Sequence, residues 1–508
     1  MTEQTAKALQ LHASDNVVIA LSDLVAGEQI PPNATTLLQP VPSGHKICIA
    51  DIKQGERVLK YGQSIGQATA DIKAGEHVHT HNLGMGEHQQ DYGFSSEYVP
   101  LPAPDREYTF EGFQRANGKV GTRNYIGIIT SVNCAGSVAK FIGEAVEREG
   151  LLDAFPNIDG IVPIVHGTGC GMSSKGEGFE TLHRTLNGYA HNPNFGAILL
   201  IGLGCEVMQV SGLVNQPLFE DTTRYRYMNI QQVGGTRQAI EQGKAVIREL
   251  AKVVNQDKRS TTPASSLVIG MQCGGSDGYS GITANPALGA ASDLVIRQGG
   301  TMLLSETSEV YGAEHLLTRR AVSPEVGQRL INRIHWWEDY CARNSGEMDN
   351  NPSPGNKLGG LTTILEKSLG AAAKGGTAPM SDVIKYAEPL NASGLVFMDS
   401  PGYDPCSVTG QVATGANMII FTTGRGSVSG FKPSPCIKMA SNTDMYQRLI
   451  EDMDINCGDI IGGDVSIADK GEQIFQLILE IASGKETKSE TLGFGSTEFV
   501  PWQIGAVM

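Results

Sequence analysis

The sequence predicts an α/β protein: a small all-β unit at the N-terminus, a linker, and a parallel-sheet body in two subdomains. Three observations predict it. Four apolar runs, at 125–132, 160–165, 197–202 and 267–271, are short, rich in Ile, Val and Leu, and end in Gly or small polar residues, as buried strands do. Helical patterns follow at least two of them. Val138, Phe141, Ile142, Ala145 and Val146 form one apolar face after the first, and strand then helix, repeated, builds a parallel sheet with helices on its faces. The first 82 residues instead carry short strand-like runs at close spacing with little helix.

Composition bounds the function. A chain of 508 residues exceeds one ordinary core, so two to four domains are expected. The hydrophobic content of 40% is globular, and 62 glycines suit tight turns and backbone-lined sites. A net charge of -15 disfavours nucleic acid and anionic membranes as partners, and an acidic substrate then needs a local basic pocket. Nine cysteines, an odd number in so long a chain, are not a disulfide framework. Residues 1–10 are polar and lack the apolar core of a secretory signal, and no run approaches the ~18 apolar residues that span a bilayer. The expectation is a cytoplasmic protein with reduced thiols.

Taken in order, residues 1–82 read as a compact β barrel or clip. Its runs at 9–12, 17–21, 45–50 and 77–81 are separated by Pro31-Pro32, Pro42-Ser43-Gly44, Gln54-Gly55 and Ala74-Gly75. Alternation along the last run puts His77, His79 and His81 on one face. Three imidazoles there suit a metal, or suit polarising and protonating a substrate. The plainer alternative is a solvated edge strand with its histidines bonded to backbone. Residues 83–106, ending in Pro100, Pro102 and Pro104, read as a linker that lets the small domain swing over the body or pack against it.

The first α/β domain is placed at 107–258. Gly121-Thr122-Arg123-Asn124 leads into its first strand, and Thr236 is placed as the cap of a helix carrying Ile240, Ile247, Leu250 and Val254. The polar stretch 257–264 marks the boundary to the second domain, 259–508. There a strand at 301–305 ends at Glu306. A loop at 350–357 ends at Lys357 and opens onto a helix start, which makes an anion site. A strand at 418–422 exits into Thr423-Gly424-Arg425-Gly426. No G-x-G-x-x-G opens a helix and no P-loop is present.

Cys134, Cys170, Cys205 and Cys273 each follow one of the four apolar runs, and three are flanked by Gly. Ligands of parallel α/β sheets bind beyond the carboxyl ends of the strands, so the four are expected to share one sheet and one site. The alternative role is that of small buried hydrophobes.

Longer stretches carry a family resemblance. They are residues 12–17 (His-Ala-Ser-Asp-Asn-Val), Gly44-His45-Lys46, Tyr61-Gly62, residues 77–82 (His-Val-His-Thr-His-Asn), residues 121–124, and Gly202-Leu203-Gly204-Cys205-Glu206. Residues 273–277 (Cys-Gly-Gly-Ser-Asp), Asn285-Pro286, residues 351–357 (Asn-Pro-Ser-Pro-Gly-Asn-Lys) and 423–426 continue the series. With them the chain resembles, nearly end to end, the altronate and galactarate dehydratases. The histidine run and Tyr311-Gly312-Ala313-Glu314 resemble the altronate branch. The resemblance implies an antifreeze-like β-clip domain before a Rossmann-like body, an iron-dependent lyase that removes water from a sugar acid, and a homodimer. D-altronate, going to 2-dehydro-3-deoxy-D-gluconate, is the first substrate it implies. Galactarate or another hexarate, or a sulfonated hydroxy acid, are the alternatives, and a non-catalytic sugar-acid sensor is the alternative of a different class.

Dehydration of a 2,3-dihydroxy acid needs a base for the weakly acidic C2 proton, a cation to stabilise the enediolate, and an acid for the departing 3-hydroxyl. His166, four residues before Cys170, is the first candidate acid or base, followed by Glu206, Asp277 and Glu306. Arg425 and Lys357 are candidates for carboxylate recognition, with Arg123, Asn124 and Asn356 as further substrate contacts. Two iron sites compete. One is a thiolate site, or iron–sulfur cluster, on Cys134, Cys170, Cys205 and Cys273; the other is a single Fe2+ on His79 and His81 with carboxylates.

Overall fold

The computed structural model describes residues 7–86, 91–505 and 507. Part of the segment read as a linker, 87–90, lies outside the described residues.

The N-terminal unit is built from short antiparallel strands. One sheet runs Ala8–Leu9, Val17–Ala20, Lys46–Cys48, His77–Val78; a second runs Arg57–Lys60, Gln63–Ala68, Leu83–Gly84. Its apolar interior, which includes Val17, Ile52, Val58, Ile65, Ile72 and Val78, continues into Ala313, Leu369 and Ala372 of the body. The unit is therefore seated on the body through a shared core. The segment after it is also tied down: the Ser95 amide donates to the Thr318 carbonyl at 3.0 Å and the Glu97 amide to that of Arg319 at 2.8 Å.

The middle of the chain forms a four-stranded parallel sheet in the order Gly160–Ile164, Tyr125–Thr130, Phe195–Gly202, Tyr225–Asn229. Every residue of Phe195–Gly202 is buried, which explains an uninterrupted apolar run where a half-exposed strand would alternate. The helices Gly136–Arg148 and Thr236–Val254 pack on one face through Ile142, Ile247, Leu250 and Val254. Thr236 is the first helical residue; the N-cap is Gly235 at φ 96°, a conformation that suits glycine.

The C-terminal body is a seven-stranded parallel sheet in the order Met380–Ile384, Gly394–Met398, Thr301–Leu304, Val268–Cys273, Met418–Thr423, Cys436–Ala440, Ile455–Asn456. The chain begins in the middle with Val268–Cys273, adds Thr301–Leu304 beside it, lays the edge strand Met380–Ile384 before filling the gap with Gly394–Met398, then returns to build the other side. The strand order thus reverses between Val268–Cys273 and Met418–Thr423, which opens a crevice at their carboxyl ends. Strand Arg259–Pro263, in the stretch that sequence read as a polar boundary, pairs with Thr109–Gln114. That partner lies about 150 residues earlier and leaves no local trace.

One expectation is corrected here. The four cysteines do not share a sheet: Cys134, Cys170 and Cys205 follow strands of the four-stranded sheet, whereas Cys273 ends the central strand of the seven-stranded one. Four similar apolar runs do not reveal that the third and fourth belong to different sheets. No helix among the described residues is long and apolar enough to cross a membrane.

Candidate active site

At the carboxyl end of Val268–Cys273, beside the point where the strand order reverses, lies a cavity of about 430 Å³ lined by Cys273, Glu309, Asn351, Asn356, Lys367 and Asp404, among others. Each polar group arrives on its own element. Cys273 ends its strand, and Glu309 closes the turn Thr307–Glu309 after the neighbouring strand. Lys367 lies on helix Ile364–Ala373 and Lys374 directly follows it. Asp404 opens helix Asp404–Thr414. Glu306 stands between strand and turn at φ 70°, a strained conformation for a side-chain-bearing residue, held by its amide donating to Ser400 Oγ at 3.0 Å.

The groups are paired. Lys367 Nζ donates to Glu309 Oε1 at 2.7 Å and to Asn351 Oδ1 at 2.9 Å, and Asn351 Nδ2 donates to the same Glu309 oxygen at 2.6 Å. Lys374 Nζ lies 3.0 Å from Cys273 Sγ and 3.8 Å from Glu306. Burial drives Lys374 down, but Cys273 and Glu306 outweigh it and hold it above the usual lysine range. Burial pushes the Cys273 thiol up to about 11. It also raises Glu306 well above the carboxylate range, with Glu309 and Asp404 adding repulsion. Asp404 is pushed up to about 6 by burial and by Glu309, and its Oδ1 is buried without a hydrogen-bond partner.

A second group adjoins the first. His45, His77 and His79 offer one ring nitrogen each, all within 4.8 Å of one another. His45 Nδ1 lies 3.0 Å from His77 Nε2, and the His77 and His79 rings stack at 5.3 Å. Burial and the neighbouring cationic groups push His77 down to about 3 and His79 to about 4, so both are neutral near pH 7. Beneath them Glu366 joins Lys46 at 2.8 Å and Lys60 at 2.9 Å; burial alone would raise Glu366, but the two lysines hold it down to about 2. One short helix, Pro354–Leu358, separates the groups: its Asn356 lines the cavity and its Leu358 carbonyl lies 3.3 Å from His45 Nε2.

The residues singled out from sequence fall in different places. Arg425 is exposed, with its amide donating at 2.8 Å to the carbonyl of Gly275 in the cavity wall. Lys357 is half-buried in the last turn of Pro354–Leu358. Asn356, inside that helix, completes the capping box of its N-cap Ser353 and donates to the Ser276 carbonyl at 2.8 Å. Asp277 accepts from Ser280, Ser441 and Asn442 and ties its loop to the neighbouring strand exit. Arg123 commits its guanidinium to Glu490 and to the carbonyls of Thr122, Ile481 and Lys485, which leaves nothing for a substrate carboxylate. Asn124 holds the carbonyls of Asn157 and Val254. His166 is buried against Phe499 in the four-stranded unit, 3.0 Å from the Thr130 carbonyl and pushed down to about 4 by burial. Glu206 accepts from Ser131 Oγ at 2.7 Å and from the Gly204 amide at 2.6 Å. Cys134, Cys170 and Cys205 are exposed. His79 stands in the imidazole group, and His81 is exposed with its ring 5.6 Å from that of His77.

Sequence reasoning passed over His45, Glu309, Lys367, Lys374 and Asp404. A signal existed for the lysines: charged residues inside the otherwise small and apolar run 361–374 cannot all reach water.

An ion-paired carboxylate, an ammonium group and a carboxyl whose hold on its proton is strengthened by burial, in one cavity, with a second lysine and a second raised carboxyl packed behind Cys273, define an acid–base enzyme for a small anionic substrate. Comparison with known proteins makes this specific. Residues 6–86 match the altronate/galactarate dehydratase SAF domain. Residues 112–255 match the D-galactarate dehydratase/altronate hydrolase second domain, and 264–507 the D-galactarate/altronate dehydratase C-terminal domain. The chain is 38% identical over 492 residues to galactarate dehydratase (L-threo-forming) of Escherichia coli, covering 95% of this chain and 94% of that protein. It is 35% identical over 491 residues to altronate dehydratase of Bacillus subtilis, covering 96% and 97%. It is 31% identical over 392 residues to the (2R)-sulfolactate sulfo-lyase β subunit of Chromohalobacter salexigens, covering 76% and 95%. The chain belongs to the altronate and galactarate dehydratase family, and it is a hydro-lyase, a sugar-acid dehydratase.

Proposed function

We propose that the cavity dehydrates a six-carbon sugar acid, D-altronate first, to its 2-keto-3-deoxy product. The observation that carries this reading is the pairing of Lys367 with Glu309 beside an unpartnered, buried Asp404. Glu309 takes the C2 proton, while Lys367 in the cavity wall faces the negative charge that develops on the substrate, and Lys374 lies behind it against Cys273. Asp404, pushed up to about 6, gives its proton to the 3-hydroxyl, which leaves as water. The resulting enol takes a proton at C3 and releases the one on its C2 oxygen to become the ketone, so the net change is loss of one water. Arg425, at the rim, receives the carboxylate.

The metal belongs with the imidazoles in this reading. His77 and His79 are neutral near pH 7, burial lowers His45 as well, and the three lie close together and include the buried, unpartnered His79 Nδ1, a donor set that suits ferrous iron. Cys273, Glu306 and Glu309 also approach one another closely, but Lys367 and Lys374 already neutralise that group, and a cation there would face two ammonium ions. Bound iron supplies a Lewis acid for the substrate's oxygens. The working state is a cytoplasmic homodimer; nine free cysteines fit a reducing compartment, and sedimentation velocity checks the assembly.

A hexarate such as galactarate is the second reading, supported by 38% identity to a galactarate dehydratase. Anaerobically purified, iron-supplemented protein assayed on a panel of hexonates and hexarates separates the two. Turnover of altronate to a 2-keto product is expected; turnover of hexarates alone moves the assignment to the second reading, and turnover of no hydroxy acid rejects both.

A further inference from the structure

The proposed reaction makes no use of Cys134, Cys170 and Cys205. Their strands, Gly160–Ile164, Tyr125–Thr130 and Phe195–Gly202, are adjacent and parallel, so the loops that follow leave the same end of one sheet. Each loop carries one cysteine, and the loops are bonded to one another. The Asn133 amide donates to the Thr168 carbonyl at 2.9 Å, the Met208 amide to that of Gly169 at 3.0 Å, and Ser131 Oγ to Glu206 at 2.7 Å. Gly169, at φ 98°, lies so close to the strand exit that a Cβ there would stand 2.2 Å from the Ser131 carbonyl oxygen.

On these fixed loops all three thiols are exposed, whereas Cys48, Cys273, Cys406, Cys436 and Cys457 are buried. A cysteine that serves as a small hydrophobe is buried, so the trio does not have that role. Cys134 sits at the N-terminal end of the 13-residue helix Gly136–Arg148, where the helix dipole is positive. Gly169 and Gly171, at φ 98° and 64°, flank Cys170 in the left-handed backbone that turns amide groups toward an anion, as around many iron–sulfur centres. Among the described residues the three sulfurs do not all lie within 4.8 Å of one another, which is wider than the spacing around a single small ion. At the exit of the neighbouring strand Tyr225–Asn229, Asn229 Oδ1 is buried without a partner.

We propose that Cys134, Cys170 and Cys205 bind an iron–sulfur cluster through three thiolates, leaving one iron without a protein thiolate and open to an oxygen ligand. The site is separate from the cavity and does not depend on the sugar-acid reading. The test uses the full chain, reconstituted anaerobically with ferrous iron and sulfide, desalted, and analysed for bound iron, acid-labile sulfide, visible absorption and, after dithionite reduction, paramagnetic resonance. Labile sulfide bound together with iron is expected. It should be lost in Cys134→Ser, Cys170→Ser and Cys205→Ser, and retained in Cys341→Ser and His79→Ala. Alkylation followed by peptide mass mapping gives a second readout on the unmutated chain: reconstitution should protect these three thiols and no others. Iron or zinc bound without labile sulfide overturns the proposal, as does full alkylation of the three thiols after reconstitution.

Discussion

Asp404 is a carboxyl group that folding places among charges it would otherwise avoid. Its ordinary value of 3.8 is pushed up to about 6 by burial and by Glu309. The unfolded chain ionises this group from about pH 4, whereas the folded chain resists until about pH 6. The protein therefore carries a penalty that is absent below pH 4, grows between these values and is complete above pH 6. At roughly 1.4 kcal/mol per unit it reaches about 3 kcal/mol. Asp404→Asn should raise the unfolding free energy by a substantial part of that at pH 7.5 and leave it unchanged at pH 4, while abolishing turnover. Urea titrations at the two pH values check this, and equal effects at both would mean that the carboxyl is not buried as charge. The same scale decides where the iron sits. His45→Ala and His79→Ala should weaken iron binding by at least roughly 10–100-fold. Cys273→Ser should leave affinity unchanged, because its thiol is neutral and bonded to Lys374. Competition with a chelator measures all three.

Helix Ile364–Ala373 joins the two halves of the site. Consecutive residues face different partners: Glu366 reaches Lys46 and Lys60 of the small domain, and Lys367 reaches Glu309 in the cavity. Sequence suggested a linker that lets the small domain swing over the body or pack against it. Three fully buried charges across the contact make opening costly, since separation would strand each of them. Glu366→Gln leaves two buried ammonium groups without a carboxylate, and a loss of about 3–5 kcal/mol is expected. Adding Lys60→Met should restore part of that loss by removing one uncompensated charge. Denaturant midpoints of the three proteins provide the check; a double variant no more stable than Glu366→Gln would show that Lys60 is not uncompensated in the single variant.

At the scale of the whole molecule, an anion must enter a protein of net charge -15. Long-range repulsion should slow its approach at low ionic strength, so kcat/KM is expected to rise as salt goes from about 10 mM to physiological strength, where the Debye length falls to about 8 Å. Arg425 opposes this repulsion at the rim. Arg425→Ala should raise KM roughly tenfold or more, the effect of losing one charge-assisted hydrogen bond of about 1.5–3 kcal/mol, with a smaller change in kcat. An unchanged KM would remove Arg425 from substrate recognition.

The sequence by itself determined the class of each part, because strand period, turn residues and apolar runs are local properties. It read the short-stranded N-terminal unit, the parallel strands of the body and the cysteines at strand exits from neighbours a few residues apart. It also marked the histidine run, yet His45, which completes that group, lies 32 residues before His77 and follows from no periodicity. Only the tertiary structure decided which strand ends meet. It sorted Cys134, Cys170 and Cys205 from Cys273 by putting them in different sheets. It also committed Arg123 to Glu490, 367 residues away, and brought Lys46 to Glu366 across 320. The physical reason is that a buried charge is stable only beside its partner, and partners so far apart in sequence are set by the order of strands in the sheets, which no local pattern encodes.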